Sequence, residues 1–545
     1  MKRSRADAAK AFQDAAPYHS ELREIHKWCM PWRTPTAAQS SQGQQQGGAN
    51  RTAHLFDSTF ISAAAAFAGQ TQADWTPPHS DFFTMEAGPL VDDADKPQWT
   101  RVLQNAAKTI HSLLPPVHRT LHESYFDLFA GTAAMLVNHG SQRFPIRGLA
   151  VSPLEMAMED GPFGDIWRRW WKRNWRCGDV PDIWPAGNIS DKLAQRIKDD
   201  PSLPVEVTQA TIWNPKTERW RHTVWTSSCE AKDWLWYEEF TTSPWITPRF
   251  FKVPGESLGR GLAHLGLPGA RTLNKARELA LHAAAFAVMG LWLRRDDGVF
   301  NPDTATFAPG KMWAVATTGG ALGSSITRLE VPKDFDITTV VMSDEREQLN
   351  KILMNDELPD HNDPVRSATE VAGRLARFAR MKGGVGPRIS YELVTMLVER
   401  AVDILVTHYP QALPGLPKGF VLDQILSKVT ITSPAAAAQR SNDVERAVNW
   451  LQIMSMLWGP QATMMLAKSE DLGPQLGRWL GVEEKYIPSK DEIKEFKAQL
   501  AQIAAAQSAA QQKPPTPEQQ TRALVNGQGA QGMPEMGSAM AGAMQ

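Results

Sequence analysis

Cysteine is scarce in this sequence. The 545 residues include 3 cysteines, Cys29, Cys177 and Cys229, and none of them has the close spacing of a paired metal ligand. Few and widely separated cysteines are typical of proteins from a reducing compartment. We therefore expect a reducing environment and no zinc site.

The sequence has no excess of either charge sign. Lysine and arginine total 58, aspartate and glutamate total 59, and the formal net charge is -1. A dedicated nucleic-acid binder carries a surplus of lysine and arginine that neutralises phosphates. The balance argues against that class, although it does not exclude DNA passing close to the chain.

Long apolar runs are also missing. The most apolar helical stretch has 11 residues without charge or histidine, Ala283 to Leu293. A helix needs about 20 apolar residues to cross a bilayer. Burial against neighbouring helices explains this stretch better than membrane insertion does. The N-terminal residues lack the apolar stretch of a secretory signal, so none is expected.

Motifs that carry chemistry are absent as well. GGALGSS at residues 319–325 has glycines but lacks the Gly-Lys-Ser/Thr ending of a phosphate-binding loop. The sequence has no HExxH, Gly-x-Ser-x-Gly or paired CxxC motif. Adjacent carboxylates at 92–93, 296–297 and 483–484 are typical of solvated surface. We therefore predict that the chain is not an enzyme and holds no cofactor or metal.

The most organised part of the chain lies between Gly255 and Ala368. Leucine and alanine dominate Leu273 to Leu293, which we predict as a helix that begins after Pro268 and Gly269. A polar, turn-rich insert follows up to Lys333, and Asp-Gly and Gly-Gly pairs in it indicate a hairpin. An amphipathic pattern then predicts a second helix, Phe335 to Met354. Two helices that flank a small β insert would form a protrusion.

The N-terminal half combines helices with strands. Apolar spacing and turn residues predict helices at about 4–30, 57–67, 97–114 and 117–137. Between Pro145 and Pro248 the alternation indicates strands, with a hairpin from Val205 to Trp225 around Asn214-Pro215-Lys216.

The segment WRRWWKRNWR, residues 167–176, has two interpretations. Its tryptophans recur at helical spacing with basic residues between them. One interpretation is a nucleic-acid or membrane surface, because aromatic and basic side chains alternate in such surfaces. The other, which we favour, is that tryptophans belong to the core and the arginines are solvated or contact another subunit.

The C-terminal part is predicted to be helical. Ala368 to His408 reads as one long helix or as two helices separated by a glycine and proline break at 383–387. A short strand is expected from Val429 to Thr432. Further helices are expected at about 441–458, 461–467, 473–480 and 489–511, and a composition rich in Gln, Gly and Pro predicts disorder from residue 513 to the end.

Several segments, in this order, resemble a known family. They are FDSTFISAAAAFAGQTQADWTPPHSDFF, YFDLFAGTAAMLV, PWITPRFFKVPGESLGRGLAHLGLPGARTLNKARELAL, FAPG and RSATEVAGRLARFARMKGGVGPRISYELVTMLVERAVDIL. Together they resemble the head-to-tail connecting, or portal, proteins of podovirus-type tailed bacteriophages over roughly residues 8–500. The block from Gly255 to Asn274 is the most specific part.

The resemblance implies an α+β, mostly helical portal fold that assembles into a ring at one capsid vertex. The regions it implies are an N-terminal wing (1–257), a first stem helix (258–293), a clip (294–334), a second stem helix (335–354), a channel loop (355–367), a long wing helix with a return strand (368–433), a helical crown (434–511) and a C-terminal tail (512–545). It also favours a strand from Ile166 to Lys172 followed by a helix, against the helical periodicity of 167–176. We follow the resemblance there.

The resemblance also implies partners and site residues. The ring, usually a dodecamer, would bind the terminase large subunit, the tail adaptor and head-completion proteins, and capsid and scaffolding proteins, while duplex DNA passes through it without sequence specificity. We expect virion localisation after assembly in the host cytoplasm, and no membrane insertion. The channel-lining set would be Asp356, Glu357, Asp360, His361, Asp363 and Arg366, and the clip docking set Arg294, Arg295, Asp296, Asp297, Lys311 and Arg328.

Two other classes stay open at this point. A membrane-active channel or DNA-ejection protein would explain the alanine-rich helix and the Trp-Arg segment, although it requires a longer apolar run. A packaging ATPase would explain a role with DNA, although it requires a phosphate-binding loop.

Overall fold

The computed structural model describes most of the N-terminal three quarters of the chain. The residues described are 2–34, 52–227 except 93, 234–289, 291–294, 326–329, 335–355, 384–433 except 418 and 424, 446–459, and a few single positions between 472 and 499. Residues 1–439 and 440–545 form separate compact units.

The first unit is α+β, as predicted. Its helices are α1 (Lys2–Asp14), α2 (Ala16–Cys29), α3 (Thr59–Trp75), α4 (Lys96–Leu113), α5 (Pro115–Ala130), α6 (Val180–Ile183), α7 (Asp191–Asp199), α8 (Leu262–Met289), α9 (Phe335–Ile352), α10 (Gly386–Ile389) and α11 (Met396–His408). Its strands are β1 (Phe83–Ala87), β2 (Met135–Ser141), β3 (Phe144–Ala150), β4 (Met156–Asp160), β5 (Ile166–Arg176), β6 (Pro204–Asn214), β7 (Arg219–Thr226), β8 (Trp236–Phe240), β9 (Trp245–Ile246), β10 (Leu291–Arg294), β11 (Ile326–Leu329) and β12 (Ser427–Ile431).

A five-stranded antiparallel sheet in the order β4-β5-β6-β7-β8 forms one layer. The predicted hairpin is present as β6 and β7, where Trp213 pairs with Trp220. Helix α1 covers one face of the sheet, and its alanines pack with the buried Trp170. Trp171 is buried on the opposite face, where its ring meets Trp245.

The Trp-Arg segment forms the second strand of this sheet. The helical periodicity was therefore a wrong guide at 167–176, and the strand that the resemblance implied is confirmed. It is longer than expected, since β5 continues to Arg176 and a short 3₁₀ turn precedes α6. Pairing with β4 and β6 on both sides satisfies its backbone.

Several helix boundaries differ from the sequence prediction. The single helix expected at about 4–30 is divided at Ala15 into α1 and α2. The helix expected to end near Phe67 continues to Trp75, because Gly69 faces open space and Thr71 and Trp75 extend the buried stripe. The helix expected to reach Val137 ends at Ala130. Gly131 adopts a φ of 136°, which ends the helix, and β2 follows.

The two long helices of the central stretch are both present. Helix α8 begins at Leu262, so Pro268 lies inside the helix and does not mark its start. Burial of Leu262, Ala263 and Leu267 stabilises the turns around the proline. Helix α8 also ends before Leu293, because β10 begins at Leu291.

The long C-terminal helix of the first unit is continuous from Gly386 to His408, and its N-terminal side, 368–383, lies outside the described residues. Between α10 and α11 the segment Ser390–Thr395 is a π-helix. The predicted return strand is present as β12, which pairs with β1. In the second unit, residues 446–459 are helical, within the predicted 441–458 helix and one residue beyond it. The other predicted helices there and the tail lie largely outside the described residues.

The main hydrophobic core lies between α2, α3, α4, α5, the first half of α8, and the π segment with α11. This core fixes the base from which α8 and α9 extend.

Candidate functional site

Helices α8 and α9 form an antiparallel pair that we call the helical pair. The first turns of α8 contact the last turns of α9, since an added Cβ at Gly266 would lie 2.7 Å from the Leu353 side chain and 3.2 Å from that of Leu349. Leu349 and Leu353 are buried. The glycine therefore allows a close approach of the two helices, which a larger side chain would prevent.

Asp57 connects both helices of the pair to the core. Its carboxylate accepts hydrogen bonds from the Thr59 amide (2.9 Å), from Arg277 of α8 (3.2 Å) and from Arg346 of α9 (2.7 Å). Burial alone would raise the pKa of Asp57, but the hydrogen bonds from Thr59 and Arg346 lower it below its ordinary value. One carboxylate thus holds the start of α3 and one arginine from each helix of the pair.

Asn274 fixes the position of Asp57. Its Oδ1 accepts from the amides of Phe56 (2.7 Å) and Asp57 (3.2 Å), and its Nδ2 donates to the carbonyl oxygen of His54 (3.0 Å). Asn274 is buried on α8. The segment before α3 is therefore held against α8 by both amide ends of one side chain.

The block before α8 crosses the end of α5 at close range. A Cβ at Gly261 would lie 2.2 Å from the carbonyl oxygen of Phe129, and one at Gly131 would lie 2.2 Å from that of Gly259. The hydroxyl of Tyr18 on α2 donates to the Gly259 carbonyl at 3.0 Å. These contacts explain why this block contains glycines at close intervals: the backbones themselves are in contact.

Arg260 and Arg271 connect this block to α2. The Arg260 guanidinium contacts Glu21 at 3.3 Å and Glu256 at 3.0 Å, and Arg271 forms an ion pair with Glu24. These pairs are partly exposed, so each contributes little to stability. They orient α2 along the start of α8.

Arg249 joins three parts of the first unit. Its guanidinium pairs with Glu392 of the π segment (2.6 Å) and Asp160 at the end of β4 (3.2 Å), and it donates to the carbonyl oxygens of Gly164 (3.0 Å) and Ser257 (3.4 Å). Its side chain is 3% exposed. Loss of Arg249 would leave the buried carboxylate of Glu392 without its cation, which is strongly destabilising, whereas Asp160 would keep its ion pair with Lys252.

A second buried arginine lies beside this group. Arg169 of β5 donates to the Thr247 hydroxyl at 3.2 Å and stacks 5.0 Å from the Trp220 ring centre. Burial lowers its pKa to about 9, and the charge of Arg249 contributes in the same direction. Its Nη1 is buried and has no hydrogen-bond partner among the described residues.

Parts of the sequence-predicted clip set are described. Strands β10 and β11 pair in antiparallel register at the end of the helical pair, with Arg294 opposite Ile326 and Arg328 opposite Trp292. A small β insert between two helices was predicted, and these paired strands confirm it. Arg295, Asp296, Asp297 and Lys311 lie outside the described residues.

The channel-lining set falls outside the described part of the chain. The described chain stops at Asn355 and resumes at Gly384, so Asp356, Glu357, Asp360, His361, Asp363 and Arg366 all lie between. Their role stays a prediction. Sequence reasoning identified Asp57 only as a residue that can cap α3, which its bond from the Thr59 amide confirms. It missed the arginine partners of Asp57 and the roles of Arg249, Asn274 and Glu392, since the partners of these residues lie far away in sequence.

The outward surface of the helical pair is partly apolar. Leu279 and Leu281 of α8 are 57% and 51% exposed, and Val341 and Ile352 of α9 are 52% and 44% exposed. The charged residues differ between the two helices: α8 carries Arg271, Lys275 and Arg277 against Glu278, whereas α9 carries Asp344, Glu345 and Glu347 against Arg346 and Lys351. Arg271 is paired with Glu24, and Arg277 and Arg346 are paired with Asp57. The flank formed by α8 is therefore more basic, and the flank formed by α9 is more acidic.

Comparison with protein families decides the identity. The model of the bacteriophage head to tail connecting proteins matches residues 2–487. The chain belongs to this family. The matched range includes the helical pair, the main hydrophobic core and Arg249 with its partners Asp160 and Glu392. No curated protein matches the connector chain significantly.

Membership makes the chain a virion component of the junction between capsid and tail, in a family of structural proteins. In the connector, no helix within the described ranges is both long and apolar enough to span a membrane. Among the same residues no cluster of three or more His, Cys, Asp or Glu side chains is placed to bind a metal ion.

Proposed function

We propose that this connector forms the portal ring of a podovirus-type bacteriophage, usually a dodecamer. Duplex DNA is packaged through the ring by the terminase and later leaves through it. The helical pair is the stem, the β10–β11 insert is the clip, residues 355–367 form the channel loop and residues 434–511 the crown. Helix α8 ends at Met289 and β10 begins at Leu291, so the clip starts three residues before the boundary at residue 294 that the sequence predicts.

The observation that carries this proposal is the outward surface of the helical pair. Four large apolar side chains, each roughly half exposed, lie on a pair whose inner side is firmly attached to the core. A contact with a neighbouring copy would remove these side chains from water, which is favourable. A head-to-tail contact, with the basic flank of α8 against the acidic flank of α9 in the next copy, repeats from subunit to subunit and closes into a ring.

The clip would be the polar docking surface, first for the terminase large subunit and then for the tail adaptor and head-completion proteins. Arg294 and Arg328 lie on its two paired strands, and Arg295, Asp296, Asp297 and Lys311 belong to the same insert in sequence. Charged residues of both signs favour specific and salt-sensitive docking. The wing would contact capsid and scaffolding proteins during assembly in the host cytoplasm.

Mass photometry of the purified full chain tests the ring. We expect wild type to form closed rings without nucleotide turnover, and Leu279→Glu to shift the mass distribution to small species, because a charge would be buried in the contact. Leu90→Glu is the matched control, because Leu90 is 72% exposed on another part of the first unit. It should form rings.

Two outcomes would count against the proposal. One is a stable wild-type monomer at micromolar concentration, and the other is full ring formation by Leu279→Glu. Turnover of ATP by the chain alone would contradict the structural role.

A further inference from the structure

The π segment Ser390–Thr395 interrupts an otherwise regular helix in the core. Such segments insert one residue into an α-helix and occur often at functional sites. Here four consecutive residues, Glu392 to Thr395, are buried, whereas four consecutive residues of an α-helix point in nearly all directions around its axis. The Thr395 hydroxyl donates to the carbonyl oxygen of Ser390 at 3.1 Å, which partly replaces a regular helical hydrogen bond.

The chain after the π segment is firmly held. Arg400 of α11 is buried and donates to the Val137 carbonyl oxygen (3.0 Å) and the Asn138 side chain (3.0 Å) of β2, and it pairs with Asp403 (3.0 Å). Tyr409 donates to the carbonyl oxygen of Gly140 at 2.8 Å. Any change of helical register must therefore displace α10 and not α11.

The π segment itself is held through Glu392. This carboxylate accepts two kinds of hydrogen bond from Arg249, one from the backbone amide (2.8 Å) and others from the guanidinium (2.6 Å to Nη2). These bonds compensate for the less favourable backbone of a π turn. The buried apolar residues of the segment, Leu393 and Val394, do not explain the π turn, because a regular α-helix could bury them as well.

A second cation is available to the same carboxylate. Arg169 donates to the hydroxyl of Thr247, two residues before Arg249, whose own backbone amide donates to Glu392. The buried Nη1 of Arg169 has no partner among the described residues. A buried unpaired donor is rare and calls for an explanation. Glu392 thus has one cation to which it is bonded and a second, nearby cation with an unused donor.

We propose that the helix Gly386–His408 has two registers and that Glu392 selects between them, pairing with Arg249 in the π register and with Arg169 in a regular α register. Removing the inserted residue moves α10 by one position, which is a rotation of about 100° and a shift of about 1.5 Å relative to α11. The helix would then be a two-state element, because each of its two registers is stabilised by a different ion pair of Glu392.

The consequence for the connector follows from the order of the chain. Residues 355–367, the predicted channel loop, precede α10 in sequence, and Arg249 bonds to β4 and to the block before α8. A movement of the channel loop that changes the register of α10 would therefore also change the bonds of Arg249 to the sheet and to the block before α8. This consequence rests on the proposed function, whereas the register can be measured without it.

Cryo-electron microscopy of the full chain and its variants tests the register directly. We expect Glu392→Gln to convert residues 390–395 to α-helix, because the neutral amide loses the ion pair that stabilises the π turn. In Arg249→Met we expect the same conversion to α-helix, with the Glu392 carboxylate forming an ion pair with Arg169. Asp160→Asn is the control, since it removes another carboxylate from Arg249 and should keep the π turn.

Retention of the π turn in Arg249→Met would overturn the proposal, and so would its loss in Asp160→Asn. If a variant does not form particles suitable for imaging, hydrogen exchange of the peptide 386–395 provides the second measurement. The exchange pattern should change in Glu392→Gln and match wild type in Asp160→Asn. An identical pattern in all three proteins would contradict two registers.

Discussion

At the scale of single residues, buried histidines set a pH limit. His26 is fully buried, and neither ring nitrogen has a hydrogen-bond partner among the described residues. Burial, with a smaller contribution from Arg33, lowers its pKa to about 3. A base with a lowered pKa takes up its proton mainly in the unfolded chain. Stability is therefore complete above pH 6.5 and falls as the pH decreases toward the folded-state pKa.

We predict that His26→Leu reduces the loss of stability between pH 7.5 and pH 5. For His26 alone the loss in the wild-type free energy of unfolding is roughly 2 kcal/mol over this range, since each pKa unit corresponds to about 1.4 kcal/mol. Urea unfolding at both pH values measures it. His282→Gln, at an exposed position of α8, should keep the wild-type pH dependence. An equal loss in His26→Leu and wild type would contradict the assignment.

Sequence could not reveal the polar residues that hold the site. Asn274 bonds to Phe56 across 218 positions, and Arg249 bonds to Glu392 across 143. A single charged or amide residue has no periodicity, so its partner appears only when the fold is known. The apolar residues were easier to predict. Leu349 and Leu353 belong to the stripe that predicted α9, and both are buried.

At the scale of elements, two errors have different physical causes. In β5 the tryptophans at 167, 171 and 175 are four apart, a spacing that fits one face of a strand and nearly fits one face of a helix. Periodicity alone could not distinguish the two. In α8 the proline was read as a helix start, whereas burial of the turn around Pro268 outweighs the local preference.

The clip gives a prediction at this scale. Exchanging Gly298 to Thr306 for a short Gly and Ser loop should leave rings intact and abolish binding of the tail adaptor in a pull-down. The reason is that β10 and β11 lie outside the exchanged part, so the pairing that closes the insert remains. Mass photometry of the same preparation serves as the assembly control. Retained adaptor binding would place the docking surface elsewhere.

At the scale of the whole molecule, the ring would multiply small local charges. The chain has a net charge of -1, yet residues 355–367 contain four carboxylates against one arginine. Pro359 and Pro364 predict that the neighbouring helices do not continue into this loop. Ring symmetry would place the acidic loops at one level of the channel.

A ring of acidic loops in the channel would repel DNA and would not bind it. Carboxylates repel phosphates at short range, whereas a basic loop would bind them and hold the DNA. Because salt screens such repulsion over about 8 Å at physiological ionic strength, the effect should be strongest at low salt. A channel loop of this composition would thus keep the DNA mobile while the motor drives it.

Replacing Asp360 and Asp363 with lysine should therefore permit ring and capsid assembly but slow or arrest packaging. The measurement is the length of DNase-protected genome per particle across a salt series, and the defect should shrink as salt rises. Replacing Asp92 and Asp95 with lysine changes the charge equally on the surface before α4 and should package normally. Full-length packaging by the loop variant at every salt concentration would reject a channel role, because reversing the charge of a DNA-facing loop must alter its interaction with phosphates.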